Sequence, residues 1–367
     1  MTRELSSNAS ADQGGLVPLV SIIIPTYNSG SLLDSTLSSC LKIKGVDVEI
    51  LVIDDASTDG TPEHVRERYP SVTLYQLSKN SGSGAAGRNL GLSVAKGRYI
   101  KFLDHDDLLQ PRGFKAECWE ALRSDADMIV SRWGVVSIDD QGRFQNGDLR
   151  IYSPPEPSRV IEAILLGEIV PFTAATLYKR SYIQGEQWDA AAVTIDDFDW
   201  FCRMVARGGE IVKIDTISYY WRLHPFSIQG QSFSDGTLYE KSMAIRFGVY
   251  KKFEKQLEKT GQLSPSRKKL MAQAYYGFLR PFSRVDKQQC QAILDSIYGL
   301  DPEFSVDKSI EADSKVLWFV RKFGLVFFLL CYRQVGKLQR VSGGFRKPAV
   351  LLSRLLMRPA VQVLDRG

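Results

Sequence analysis

Residues 19–28 read LVSIIIPTYN, and residues 48–55 read VEILVIDD. Leu19 to Ile24 is a β-branched apolar run closed by Pro25 and a polar turn, which predicts a buried strand. Between the two stretches Leu32, Leu33, Thr36, Leu37, Cys40 and Leu41 recur at helical spacing. Val48 to Ile53 predicts a second buried strand that runs into Asp54 and Asp55. Working outward, Thr61-Pro62-Glu63 opens another helix, because proline is tolerated in a first turn. Val72 to Leu77 alternates as a third strand, Arg88 to Ala95 is helical, and Tyr99 to Leu103 is a fourth strand ending in Asp104-His105-Asp106-Asp107. Strands alternating with helices over this length imply an α/β domain with a mostly parallel sheet covered on both faces.

Ligands of such sheets sit at the carboxyl ends of the strands, near a topological switch point. The unusual residues fall there: Thr26-Tyr27-Asn28 after the first strand, Asp54-Asp55 after the second, Asn80 to Asn89 after the third, and the Asp cluster after the fourth. Three carboxylates in four residues repel one another unless a cation is present, and hard divalent ions prefer such oxygens. The same cluster would also serve as an N-cap for a helix beginning near Leu108. Gly82-Ser-Gly84-Ala-Ala-Gly87 is a literal G-x-G-x-x-G. It is open to a dinucleotide reading, or to glycines that let a helix approach the sheet. Asp196-Asp197 precedes a helical run with Trp200, and either acid fits an N-cap or a general base. Tyr219 to His224 alternates like a strand.

The 367 residues carry 47 Lys plus Arg against 42 Asp plus Glu, with 44% hydrophobic residues, which excludes wholesale disorder and collagen-like repetition. Five scattered cysteines with no CxxC pair argue against a disulfide framework and a zinc site, and for a reducing compartment. Residues 1–17 are expected to be a disordered tail rather than a signal peptide. The net charge of +5 divides unevenly: residues 241–367 hold 24 basic and 10 acidic residues, a net of +14, against −9 for residues 1–240. Such asymmetry points to a polyanionic partner.

Six motifs in order resemble family 2 of the glycosyltransferases, inverting nucleotide-sugar enzymes with the GT-A fold. They are Val20 to Asn28, Ile53 to Gly60, Asn80 to Gly91 with its Gly-Arg-Asn core, Phe102 to Asp107, Asp196-Asp197 and Tyr220 to His224. The resemblance implies a nucleotide site of Pro25, Thr26, Tyr27, Asp54, Asp55, Gly84, Arg88 and Asp104. Tyr27 would offer a ring face, and Asp54 or Asp55 would accept from a uracil or thymine imide. Asp104 and Asp106 match the family's Asp-x-Asp, with Asp106 and His224 on Mg²⁺ or Mn²⁺ and Arg222 as a phosphate clamp. Asp197 would be the base, although the family's Glu-Asp pair reads Asp196-Asp197 here, which leaves either acid in play. Pro171 to Tyr178, Trp188 and Trp200 would form the acceptor side.

These implications give a GT-A domain over residues 18–230 and a helical, basic region over 231–367. Lys315 to Lys337 has its longest uncharged run in ten residues, Phe323 to Tyr332, well short of the roughly 20 that span a bilayer. With basic flanks and Trp318, Phe319, Phe323, Phe327 and Phe328 inside, it matches a helix lying in the headgroup layer, and Val350 to Met357 repeats the pattern. The expected partners are a nucleoside-diphosphate-sugar donor, a glycan or lipid-linked acceptor, and an anionic membrane surface, with no nucleic acid. The expected location is cytoplasmic, peripheral to the membrane's cytoplasmic face. A NAD(P)-dependent oxidoreductase using Gly82 to Gly87 and a non-catalytic nucleotide-sugar or glycan-binding module are the alternatives.

Overall fold

The computed structural model describes residues 19–138, 149–171, 173–193, 195–224, 236–279 and 287–304. The expected tail at residues 1–17 and the segments 315–337 and 350–357 lie outside them. Contacts divide the chain into Met1–Leu263 and Ser264–Gly367.

The first unit opens with the four strands expected from periodicity: β1 (Val20–Thr26), β2 (Val48–Asp54), β3 (Thr73–Gln76) and β4 (Tyr99–Phe102). They lie side by side in the order β3-β2-β1-β4, all parallel. Helices α1 (Gly30–Leu41), α2 (Thr61–Arg68) and α3 (Gly84–Val94) make the crossovers. Beyond β4 the sheet is mixed rather than parallel. There β8 (Thr176–Lys179) runs antiparallel to both β4 and β6 (Met128–Ser137), and β9 (Ile211–Leu223) runs parallel to β6. Two short strands, β5 (Leu108–Leu109) and β7 (Arg150–Tyr152), pair antiparallel with β9 and β6.

No helix begins at Leu108. The helix α4 (Pro111–Ser124) starts three residues later and takes its cap from Gln110, whose side chain accepts from Gly113 N at 2.7 Å. The Asp104 to Asp107 turn is therefore not a helix cap. Two glycines of the G-x-G-x-x-G segment and its helix explain how α3 lies on the sheet. A Cβ on Gly87 would stand 3.1 Å from Pro25 Cβ, and one on Gly91 only 2.4 Å from Ile23 Cγ2.

Apolar residues of α1 and α4 share one core with β1 and β4, among them Leu33, Leu37, Cys40, Phe114, Cys118, Ile22 and Tyr99. One ion pair is buried with them. Lys101 Nζ donates to Glu117 Oε2 at 2.6 Å with both side chains fully buried, and Ser131 Oγ donates to Glu117 Oε1 at 2.7 Å. After α5 (Val160–Leu165) and α6 (Asp196–Ala206), α7 (Gly236–Lys259) packs on α6. Tyr250 of α7 donates to Ile164 O at 2.8 Å. The first unit thus continues past residue 230. In the second unit α8 (Pro265–Leu279) and α9 (Lys287–Leu300) pair through Met271, Tyr275, Leu279, Cys290 and Ile297. Cys40, Cys118, Cys202 and Cys290 are buried. Among the described residues no helix is long and apolar enough to cross a membrane.

Candidate active site

The parallel strands β1, β2, β3 and β4 end along one edge, so the four sequence clusters meet there. Thr26 closes β1 opposite Asp54 at the end of β2. Asn28, with φ +45°, joins the two loops: its amide donates to Ser57 Oγ at 2.9 Å and its Oδ1 accepts from Thr58 N at 2.8 Å. Asp54 is fully buried and its Oδ2 accepts from Ser57 N at 3.0 Å. Burial pushes its carboxyl above the ordinary value. Asp54 Oδ1 and Thr26 Oγ1 are buried without a protein partner among the described residues. Tyr27 beside them is exposed. Asp55 ties in the Gly-rich loop, accepting from Ser81 N at 2.9 Å and Ser81 Oγ at 2.8 Å. Pro25 packs against Gly87, and a side chain on Gly84 would meet Arg88 Nη1 at 2.6 Å.

Arg88, 5% exposed, is the centre of the edge. Its Nη2 donates to Asp104 Oδ1 at 2.6 Å and its Nη1 to Asp196 Oδ2 at 2.7 Å, while Asp197 Oδ1 lies 3.9 Å from Nη2. Asp196 also accepts from Asp197 N at 3.1 Å through Oδ1, so both its oxygens are engaged. The Asp197 side chain is 28% exposed. Burial pushes the Asp197 carboxyl up, Arg88 opposes the change, and Asp104 and Asp196 add to it; the result is about 7. Both acids sit in the first turn of α6, where the helix dipole favours negative charge.

Trp188 and Trp200, expected on the acceptor side, are buried. They are 3% and 0% exposed and stack on each other at 4.7 Å and 4°. Arg88 Cζ sits 4.4 Å over Trp188, and Arg203 Cζ sits 5.2 Å over Trp200 on the far side. Two cations thus sandwich two indoles, and the stack supports the Arg88 guanidinium from below. Asn89 locks it by donating to Trp188 O at 3.0 Å and accepting from Trp188 N at 2.7 Å.

The Asp104 to Asp107 turn brings carboxylate oxygens of Asp104, Asp106 and Asp107 within 4.8 Å of one another. Burial first, then each other's charge, pushes Asp107 well above the usual range. Asp104 is also raised, by burial against the pull of Arg88. Burial acts on Asp106 too, but the hydrogen bond from His224 and the charge of His105 outweigh it and hold its carboxyl low. His224 Nε2 is 2.9 Å from Asp106 Oδ2, and its Nδ1 is buried without a partner among the described residues. Crowded carboxylates beside an imidazole suit a hard divalent cation.

Arg222 is placed differently from the expected phosphate clamp. It is 2% exposed, and its guanidinium donates to Asp106 O and, at 3.0 Å, to Leu32 O. Its backbone amide donates to Asp107 Oδ1 at 2.9 Å. Thr36 Oγ1 lies 2.7 Å from both His105 O and Asp107 O and accepts from Arg222 Nη2 at 3.1 Å. Arg222 and Thr36 therefore hold the shape of the acidic turn.

A family model described as Glycosyl transferase family 2 matches residues 21–185. The likeness to glycosyl transferase family 2 is carried by that domain, residues 21–185. The succinoglycan biosynthesis protein ExoO of Rhizobium meliloti is 30% identical over 225 residues, covering 58% of this chain and 63% of ExoO. The poly(ribitol-phosphate) beta-N-acetylglucosaminyltransferase TarP of Staphylococcus aureus is 39% identical over 170 residues, covering 45% of this chain and 50% of TarP. The match thus spans less than two thirds of each relative. S. aureus TarS 1–349, solved in complex with UDP-GlcNAc, superposes with a TM-score of 0.60 at 16% identity over 86% of this chain and 91% of that one. That likeness establishes the GT-A fold.

Within the family 2 domain, two parts of the site were not singled out from sequence. Ser81 fixes Asp55 from 26 positions away, and Thr36 reaches the acidic turn from 69 positions away. The dinucleotide reading of Gly82 to Gly87 is not favoured, because this loop follows β3 at the edge of the parallel strands and its last glycine packs on Pro25.

Proposed function

We propose that the protein is a metal-dependent inverting glycosyltransferase. It moves a sugar from a nucleoside-diphosphate sugar, of UDP type, to a hydroxyl of a glycan or lipid-linked acceptor in surface polysaccharide or cell-envelope synthesis. The observation that carries this reading is the Arg88 bridge: one guanidinium links the strand-end acid Asp104 to Asp196, and leaves Asp197 3.9 Å away with a partly open carboxylate. The names of ExoO and TarP support the polysaccharide setting, and that of TarP an N-acetylhexosamine donor.

Asp54 Oδ1 and Thr26 Oγ1, buried without a partner among the described residues, form the polar floor of the base pocket, and Tyr27 supplies its ring wall. Asp106 and His224 would hold Mg²⁺ or Mn²⁺, with Asp104 and Asp107 completing the acidic turn. A divalent cation, when bound, supplies charge neutralisation to the departing diphosphate. Asp197 takes the proton of the acceptor hydroxyl as that oxygen attacks the anomeric carbon from the face opposite the leaving group. Asp196 is spent in the ion pair with Arg88, which assigns the two acids separate roles. Arg222 acts through the turn it holds rather than on the phosphates. The basic residues of 315–367 attach the enzyme to the anionic cytoplasmic face of the membrane.

The test is a screen of nucleotide sugars with the full chain, reading nucleoside diphosphate release with Mn²⁺, with Mg²⁺ and with chelator. Release from a UDP-sugar that chelator abolishes, and that Asp197→Asn abolishes in transfer to acceptor, is expected. Unchanged transfer in Asp197→Asn would sink the mechanism.

A further inference from the structure

Helix α7 lies beyond residues 21–185, which the family model matches, yet it touches the segment that carries Trp188. Lys252 of α7 donates to Asp189 Oδ2 and, at 3.5 Å, to Asp199 Oδ1. Asp189 follows Trp188 in the chain and Asp199 precedes Trp200, so one ammonium group holds the neighbours of both stacked indoles. The contacts continue from there. Asp199 Oδ2 accepts from Arg203 Nε at 2.9 Å, Arg203 Nη1 donates to Glu186 Oε2 at 2.9 Å, and Glu186 Oε1 accepts from Arg207. Charge therefore alternates in sign along Asp189, Lys252, Asp199, Arg203, Glu186 and Arg207.

A network of this kind counts for more than isolated surface pairs, because each inner ion is held by two neighbours of opposite sign. The Asp199 side chain is 1% exposed, and a buried carboxylate is costly without its cations. Arg203 Nη2 also donates to Gln187 O at 2.9 Å, which fixes the backbone just before Trp188. The same guanidinium lies over Trp200, and the two indoles carry the contact to Arg88. The terminal nitrogens of Arg88 are directed at Asp104 and Asp196, while its Nε is buried without a partner among the described residues. With no third hydrogen bond, the tilt of the guanidinium plane is set by the Trp188 face beneath it. An indole that shifts would turn both donors off their acids.

We propose that Lys252 is a positioning residue for Arg88, acting through the Trp188–Trp200 stack, so that α7 belongs to the catalytic unit. The inference rests on Arg88 serving the nucleotide site.

In the full chain labelled with nitrogen-15 arginine, the Nε–H resonance of Arg88 is the one missing from Arg88→Lys, and it senses the ring of Trp188. In Lys252→Met it should move toward the position of an unstacked arginine. UDP affinity, measured by calorimetry with Mn²⁺, should fall about tenfold, within the range for residues coupled through one network. Lys252→Arg should restore both. A merely structural role would lower the melting temperature and leave the resonance and the affinity in place. The Lys252 side chain is 47% exposed, so Lys252→Met is expected to fold. An unmoved resonance or an unchanged affinity in that variant overturns the proposal. Should it not fold, an unmoved resonance in Asp189→Asn does the same. If the wild type binds no nucleoside diphosphate, the functional reading fails, while the Arg88 resonance still decides whether Lys252 positions it.

Discussion

Arg88 Nη1 donates to Asp196 Oδ2 at 2.7 Å, joining the Gly-rich segment to the first turn of α6 across 108 positions. This one contact separates two adjacent acids that are equivalent in sequence. Asp196 is paired with a buried cation, and the Asp197 side chain stays 28% exposed.

Asp197→Asn should lower transfer by about 10²–10⁴-fold, the usual contribution of a general base, with nucleotide affinity unchanged. Asp196→Asn should instead weaken nucleotide binding, because Arg88 loses the partner that orients it toward Asp104. Calorimetric titration of UDP beside initial rates separates the two outcomes.

The Asp197 carboxyl is raised to about 7 by burial, against the pull of Arg88. A base must be ionised, so kcat/KM should rise with pH through that region. The linked stability runs the other way. A carboxyl that is easier to protonate when folded contributes fully below its unfolded value of 3.8, and the contribution is lost as pH rises through about 7. Asp197→Asn should therefore raise Tm relative to the wild type at pH 8 and narrow that gap toward pH 4.

Arg222 donates to two backbone carbonyls from a position 2% exposed. Arg222→Leu leaves those carbonyls and Asp107 without the cation, and should cost about 2–4 kcal/mol in urea denaturation. Arg222→Lys should keep the charge but lose the fork that reaches Asp106 O and Leu32 O together. Its signature is a raised requirement for Mn²⁺ at saturating donor, and an unchanged requirement would refute the turn-holding role.

The Lys101–Glu117 pair, fully buried at 2.6 Å, makes a contrasting case. Lys101→Met alone strands a buried carboxylate and should destabilise by about 3–5 kcal/mol. The double variant Lys101→Met, Glu117→Leu should recover most of that loss. A denaturant double-mutant cycle measures the coupling, and additive losses would show the pair to be independent.

Some of this was legible because its cause is local. The β-branched run at Val20 to Ile24 and the largely apolar run at Val48 to Ile53 follow from continuous apolar character and burial alone. Pro62 and the acids of the first turn of α6 mark helix starts by backbone chemistry. The mixed half of the sheet was not legible in the same way, because β8 joins β4 to β6 through pairings that no neighbouring residue specifies.

The sequence by itself determined that four polar clusters end four parallel strands, and therefore that they share one edge, because strand direction fixes which ends meet. It also supplied a chain of motifs ordered enough to place the family. Only the tertiary structure decided which partners each residue takes there. Trp188 and Trp200 read as part of the acceptor side, yet they form a buried stack between Arg88 and Arg203. Arg222 read as a phosphate clamp, yet its guanidinium donates to Asp106 O of the acidic turn and to Leu32 O of α1. The physical reason is common to both. A guanidinium or an indole has several partners of nearly equal worth, and which of them it takes depends on residues a hundred or more positions away that the fold brings within hydrogen-bond or stacking distance.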